Sequence, residues 1–197
     1  MTQVELRPLR GAEIAPHLDA LARLRIAVFR DWPYLYDGDL DYERGYLAAY
    51  ERPGALVVGA FAGADMVGAA TAAPLEQHAE DFAQAFAGQD LSRIYYLAES
   101  VLLPEWRGRG LGHGFFDLRE AEARRQGRDQ AVFCAVQRPE SHPARPSGAR
   151  RHDRFWRGRG YRPLDGVTAR FAWRDVGEAA ETQKTLQFWG RDLDGPS

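Results

Sequence analysis

Two periods organise the apolar positions of this chain. Val4-Glu5-Leu6-Arg7-Pro8-Leu9 alternates apolar and polar residues and predicts a short strand ended by proline. Ile14, Leu18, Leu21, Leu24, Ala27 and Val28 recur at three- and four-residue steps, predicting a helix over about residues 12–29. A loop rich in aromatics and acids, 31–39, leads to a second helix from Asp41 to Tyr50, stopped by Pro53-Gly54. Ala55 to Phe61 and Met66 to Ala73 read as strands joined by a hairpin turn at Gly63-Ala64-Asp65. Phe82 and Phe86 suggest a short helix within 76–87.

Ile94 to Leu103 is the strongest strand, rich in aromatic and branched residues and ended by Pro104. Leu111, Phe115 and Leu118 begin a helix that runs to about Gln126, with Gly127 as its stop. Ala131 to Val136 is a buried-type strand, and Gln137 to Gly148 is a proline-containing loop. A short helix at His152–Arg159 and strands at Val167–Trp173 and Lys184–Trp189 follow. Strands and helices mix without a linker, so the expectation is one domain, 1–197, of mixed α/β (α+β) class.

Composition narrows the class. Of 197 residues, 45% are apolar and 12% aromatic, enough to build a core and to exclude a disordered chain. The net charge of −2 argues against a general electrostatic grip on nucleic acid. A single cysteine, Cys134, excludes an internal disulfide and a cysteine-cluster zinc site, and we expect no metal. The start has no apolar run of signal-peptide length, and the longest uncharged apolar stretch, 54–64, is too short to span a membrane. The expectation is a soluble cytoplasmic protein with no membrane partner.

Trp-Arg-Gly-Arg-Gly occurs at 106–110 and again at 156–160, in unlike flanks, so the chain is not a repeat protein. The first copy lies between a strong strand and a helix start. Glycines there let the backbone turn tightly, and the free N–H groups of the first helical turn favour an anion. The alternative is a tight turn whose glycines only relieve strain. Gly-x-Gly-x-x-Gly fails in both frames, because His113 or Phe115 fills the sixth place. The triphosphate loop also fails, because the only lysine is Lys184.

The stretch does fit Arg/Gln-x-x-Gly-x-Gly/Ala, with Arg107, Gly110 and Gly112 in the fixed places. There the chain resembles the GNAT superfamily of N-acetyltransferases. The resemblance implies a splayed, strongly twisted mixed sheet of about six or seven strands, flanked by helices, with acetyl-CoA lying in the splay. It implies that the backbone of Gly108, Arg109, Gly110, Leu111 and Gly112 holds the pyrophosphate. The cofactor arm would pair with the strand end at Leu102 and Leu103. Arg107 and Arg109 could add charge, or be solvated surface side chains.

Glu99 lies inside the strong strand, where an unpaired carboxylate is costly. Partial burial would raise its pKa toward that of a general base, the role the family often gives this strand; the competing reading is an ion pair with an arginine. Phe155-Trp156-Arg157-Gly158-Arg159-Gly160-Tyr161 resembles a family segment whose tyrosine reprotonates the CoA thiolate, but Trp156 stands at that place. Indole lacks the acidity, leaving water or one of Tyr161, Tyr34 and Tyr36 as donor, and Trp156 either packs on the cofactor arm or belongs to the core. Trp32, Tyr34 and Tyr36, with Asp31, Asp37, Asp39 and Asp41, could hold a cationic amine, or simply form a capped, solvated loop.

Three functions stay open on the sequence. The first is transfer of an acetyl group to a small-molecule or peptide amine by direct attack on the thioester. The second is a CoA-binding regulatory or sensor module that has lost catalysis, suggested by Trp156. The third, a nucleic-acid binder using the Arg-Gly segments, is disfavoured by the charge. The sequence sets no oligomeric state; a homodimer is one option.

Overall fold

The computed structural model describes residues 3–82, 84–149 and 151–193. The strands are β1 (Val4–Leu9), β2 (Leu56–Ala62), β3 (Asp65–Pro74), β4 (Ile94–Tyr96), β5 (Ser100–Leu102), β6 (Gln130–Val136), β7 (Arg162–Arg174) and β8 (Glu181–Asp192). The helices are α1 (Leu18–Phe29), α2 (Leu40–Ala48), α3 (Ala79–Phe82), α4 (Leu111–Arg125) and α5 (Asp153–Gly158). The sheet runs β1-β2-β3-β4-β6-β8-β7, with β5 paired to β3. Only β4 and β6 are parallel. The mixed class is the one the element order implies, and the open sheet the one the resemblance implies, with eight strands where about six or seven were expected.

Several boundaries shift for identifiable reasons. The helix expected from residue 12 begins at Leu18; the segment before it makes two 3₁₀ turns, the second containing Pro16. Pro8 does not end β1 but lies within it, which an edge strand tolerates because one edge needs no donor. The short helix expected in 76–87 shrinks to a 3₁₀ turn and the four residues of α3; Ala83 lies outside the described residues. The last two strands run longer than expected at both ends: polar pairs reach the tip at Arg174↔Glu181, and beyond Trp189 the chain goes on pairing, through Arg162↔Gly190 and through Arg191 and Asp192 to β6.

The largest departure is in the strong strand. Ala73 faces Tyr96, but Ala70 faces Ser100, so three steps on β3 match four on its partner. The extra residue is a β-bulge: Ala98 N–H donates to Thr71 C=O and Thr71 N–H to Glu99 C=O, both at 3.0 Å. On its other edge the strand stays with β6 only as far as Leu97, whose N–H reaches Val132 C=O at 2.8 Å. Beyond it β5 follows β3 alone, and the sheet opens between β5 and the second half of β6.

One face of the sheet packs Leu21 and Leu24 of α1 and Leu47 of α2 on Val57, Ala69 and Ala73. The other receives α4, with Phe115 against Leu56 and Ala70 and Phe116 against Phe133 and Tyr161. Phe82 and Phe86 meet Phe188 edge-on and Tyr96 lies tilted against it in a third cluster. Lys184 is buried near the hairpin tip, its ammonium bonded to Trp173 C=O and Thr182 and paired with Asp175. Asp175 also takes both terminal nitrogens of Arg138, whose guanidinium reaches Pro33 C=O and Tyr34 C=O and so ties the 31–38 loop to the sheet.

Close approach at the bulged strand gives the first prediction. A Cβ on Gly68 would lie 2.5 Å from Leu102 Cδ1 and 3.1 Å from the Val101 carbonyl oxygen. Gly68→Ala should destabilise by about 1–3 kcal/mol, the usual cost of overpacking. Gly45→Ala in α2, with nothing within 4 Å, should be neutral or stabilising by about 0.4–1 kcal/mol. Urea unfolding of the two variants measures the contrast.

Candidate active site

The opening between β5 and β6 has a loop at one end and a carboxylate at its apex. After β5 the chain makes a 3₁₀ turn at Pro104–Trp106 and enters α4 through Gly108 (φ +75°) and Gly110 (φ +81°). Gly110 is the N-cap, and no side chain caps the helix. A Cβ at Gly108 or Gly110 would meet nothing within 4 Å. The loop is thus an open concavity at an uncapped helix N-terminus, which fits an anionic phosphate group. Arg107 and Arg109 are exposed beside it, with Arg109 stacked 4.5 Å over the Trp106 ring.

The strand edge is more selective than expected. Leu103 N–H donates to Val67 C=O at 3.0 Å, so Leu103 offers no amide to the opening. By alternation the Leu102 amide faces away from β3, toward the opening. Leu102 C=O there accepts from Arg107 Nε at 3.0 Å.

Glu99 sits at the bulge with its carboxylate toward α1 and α2. Its side chain is 12% exposed. Oε1 accepts from Arg25 and from the Tyr46 hydroxyl (2.7 Å), and Oε2 accepts from the Thr71 hydroxyl. Arg25 also donates to Glu43 Oε2 at 2.5 Å and lies over the Tyr46 ring at 4.7 Å. Burial pushes the Glu99 carboxyl up, but the Arg25 charge and the hydrogen bonds from Thr71, Tyr46 and Arg25 outweigh it. The net direction is downward, which corrects the expectation of a raised pKa: Glu99 is ionised at neutral pH and paired with an arginine.

The tyrosines separate clearly. Tyr161 is fully buried and donates to Glu120 at 3.0 Å; burial and that carboxylate hold its hydroxyl far above the ordinary value. Its hydroxyl is committed to Glu120 inside the core, which argues against the proton-donor role the sequence left open for it. Tyr36 is half-buried, and burial and then Glu43 raise it. Tyr34 packs on Phe29 and Trp173, and burial, then the Cys134 and Glu99 groups, push its hydroxyl well above the ordinary value. Trp32 packs against His142, and Trp156 against Phe133 and Trp189 within the core. Three of the four acids of the 31–41 loop are engaged structurally: Asp37 with Arg30 and Arg174, Asp39 as the cap of α2, Asp41 with Arg44.

The sequence matches the model of the Acetyltransferase (GNAT) family over residues 21–147. The chain belongs to the GNAT acetyltransferase family. The fold of this GNAT protein is similar to YncA of Salmonella typhimurium, solved with its cofactor acetyl-CoA (TM-score 0.60, 17% identity, 99% of this chain and 96% of that one). It is also similar to a ribosomal-protein-alanine N-acetyltransferase of Brucella melitensis (TM-score 0.62, 18% identity, 96% and 99%). An N-acetyltransferase of Staphylococcus aureus gives a TM-score of 0.62 at 13% identity, covering 98% and 99%. These likenesses are of fold. No curated protein sequence matches the chain. No described helix is long and apolar enough to cross a membrane.

Sequence reasoning missed the groups that hold Glu99 in this GNAT chain: Arg25, Glu43, Tyr46 and Thr71. A signal existed for Arg25, which interrupts the apolar stripe of α1 one turn after Leu21 and one before Phe29. A charge on an apolar helix face demands a buried partner.

A depressed carboxyl pKa makes a stability prediction. The ionised form of Glu99 is favoured in the folded protein, so its contribution is present above the ordinary carboxylate pKa, near 4. It is lost as pH falls through the lower folded value. Unfolding free energy should therefore fall less between pH 6 and pH 3 in Glu99→Gln than in the parent. Urea titrations at a series of pH values check this; equal slopes would mean that Glu99 titrates as it does unfolded.

Proposed function

We propose that the protein is an acetyl-CoA-dependent N-acetyltransferase acting on an amine carried by a small molecule or peptide. The observation that carries the reading is the coincidence of the sheet opening with an uncapped, glycine-lined helix N-terminus at one end and the Glu99 carboxylate at its apex. Family membership supports the same chemistry. Acetyl-CoA supplies the activated acetyl group as a thioester. The backbone of Gly108–Gly112, with Arg107 and Arg109, binds the pyrophosphate. The Leu102 N–H stabilises the charge that develops on the thioester oxygen. Arg107 leaves the Leu102 carbonyl for the phosphate, freeing that carbonyl for an amide of the cofactor arm.

Glu99 attracts the acceptor and takes the proton that its nitrogen sheds as it bonds to the acetyl carbon and the thioester C–S bond breaks, directly or through water. Ionised and held by Arg25, Glu99 is a weak base, so the fraction of free amine governs the rise of rate with pH. With a thiol pKa near 8.5, water protonates the leaving thiolate near neutral pH; burial pushes the hydroxyls of Tyr34 and Tyr36 up as it does that of Tyr161. Tyr34 and Tyr36 border the acceptor on the α1–α2 side, with Trp32 further out beside His142. Trp156 acts through packing, supporting the wall formed by Phe133.

Thiol release from acetyl-CoA across a panel of amines tests the activity. Binding of CoA without turnover on any amine would favour a sensor module. Gly110→Val places a branched side chain at φ +81°, inside the phosphate concavity. It should weaken CoA binding at least tenfold, about 1.4 kcal/mol, by calorimetry, with folding checked by circular dichroism. Glu99→Gln should keep CoA affinity and lower kcat by about 10²–10⁴-fold, the usual worth of proton transfer. Normal turnover would reduce Glu99 to a structural ion pair.

A further inference from the structure

Arg119 is the largest fully buried side chain among the described residues, at 1% exposure, and it is a cation. It stands on α4, the helix whose first turn forms the phosphate loop. Among the described residues its guanidinium bonds only to neutral acceptors. Nε donates to Phe115 C=O (3.0 Å), one nitrogen reaches both Thr71 C=O (3.2 Å) and Glu99 C=O (3.0 Å), and the other reaches Ser100 Oγ (2.8 Å). The Phe116 ring lies 4.9 Å away.

Apart from Phe115, on the same helix, those acceptors are the residues of the bulge. Thr71 C=O and Glu99 C=O already accept from Ala98 N–H and Thr71 N–H. Arg119 therefore adds no missing partner; it gives each carbonyl a second one and ties both strands to the helix. A planar guanidinium reaches several acceptors in fixed directions, which an ammonium cannot do. Thr71 is thus joined to Glu99 on both faces of the sheet, by its hydroxyl toward α1 and through Arg119 toward α4. Burying an arginine without a carboxylate is costly. A helix meant only to pack here would be served by a leucine.

We infer that Arg119 is a positioning residue for acetyl transfer: it clasps the bulge from below, fixing the Glu99 carboxylate at the apex of the opening and locking that apex to the phosphate-binding helix. The inference rests on the assignment of Glu99 above. Arg119 touches neither the acceptor nor the thioester and acts through the main chain at 98–100.

The experiment joins hydrogen exchange to kinetics in Arg119→Lys and Arg119→Met. Amide exchange over 98–101 should rise at least tenfold in both. Saturating kcat should fall at least tenfold, while CoA affinity and the KM for acetyl-CoA stay within threefold of the parent. Lysine should not rescue, since it keeps the charge but loses the fork. If either variant fails to fold, Ser100→Ala, at an exposed position, removes one acceptor and should move exchange and kcat in the same direction by a smaller factor. Unchanged exchange overturns the clasp. Faster exchange with unchanged kcat overturns the positioning role, provided Glu99→Gln is impaired. If Glu99→Gln also turns over normally, the assignment of Glu99 fails and the positioning role falls with it, although the clasp stands as a structural device.

Discussion

The Glu99 carboxylate is buried where the sheet gives up a partner strand, and the polar architecture around it follows from that burial. A charge taken from water costs several kcal/mol unless it is paired and hydrogen-bonded. Here the pairing comes from Arg25, a residue of the helix opposite, with Thr71 and Tyr46 filling further acceptor sites. Arg25 in turn requires a second carboxylate, Glu43, which is fully buried. Arg119 adds a second guanidinium on the far face. Two carboxylates and two guanidiniums thus meet around one bulge, with formal charges that cancel. Such a cluster is a poor source of net stability compared with an apolar replacement. Its value lies in fixing geometry: α1, α2, β3 and α4 are all bound to the same three residues of strand.

The bulge links this cluster to the opening. One extra residue lets the strand keep its bonds to β3 while it leaves β6 after Leu97. Regular pairing on both edges would have zipped β5 to β6 and closed the space between them. The neighbouring small residues serve the same end. Gly68 allows Leu102 to lie close over β3, and the alanines at 69, 70, 72 and 73 bring helices near on both faces.

How much of this was legible depends on the range of the interaction. Elements with a local signature were visible: the stripes of α1 and α4, the hairpin of β2 and β3, the turn between a strand and a glycine-led helix. The bulge was not, because Ile94 to Leu103 reads as uniform strand, and a one-residue slip against β3 exists only in the paired sheet. The polar tip of β7 and β8 was invisible for a similar reason, since its pairing is carried by backbone bonds that leave no apolar signature. Glu99 was conspicuous as a carboxylate among apolar neighbours. Its ionisation state could not be read, because burial and ion pairing push a carboxyl in opposite directions and the partners lie 74 and 28 positions away, at Arg25 and Thr71. Leu102 and Leu103 looked equivalent until the register turned one amide inward and committed the other to Val67.

The burial of Lys184 has a chemical consequence of its own. It is the only lysine in the chain, and its ammonium is enclosed by Trp173, Thr182 and Asp175. The other 25 of its 26 lysine and arginine side chains are arginines, whose guanidinium stays protonated. This GNAT protein therefore presents no lysine amine on its folded surface. Self-acylation of lysine, a standing hazard for proteins that keep acyl thioesters close at hand, has no target here. Amine-directed labels and cross-linkers will likewise find no lysine on the folded protein.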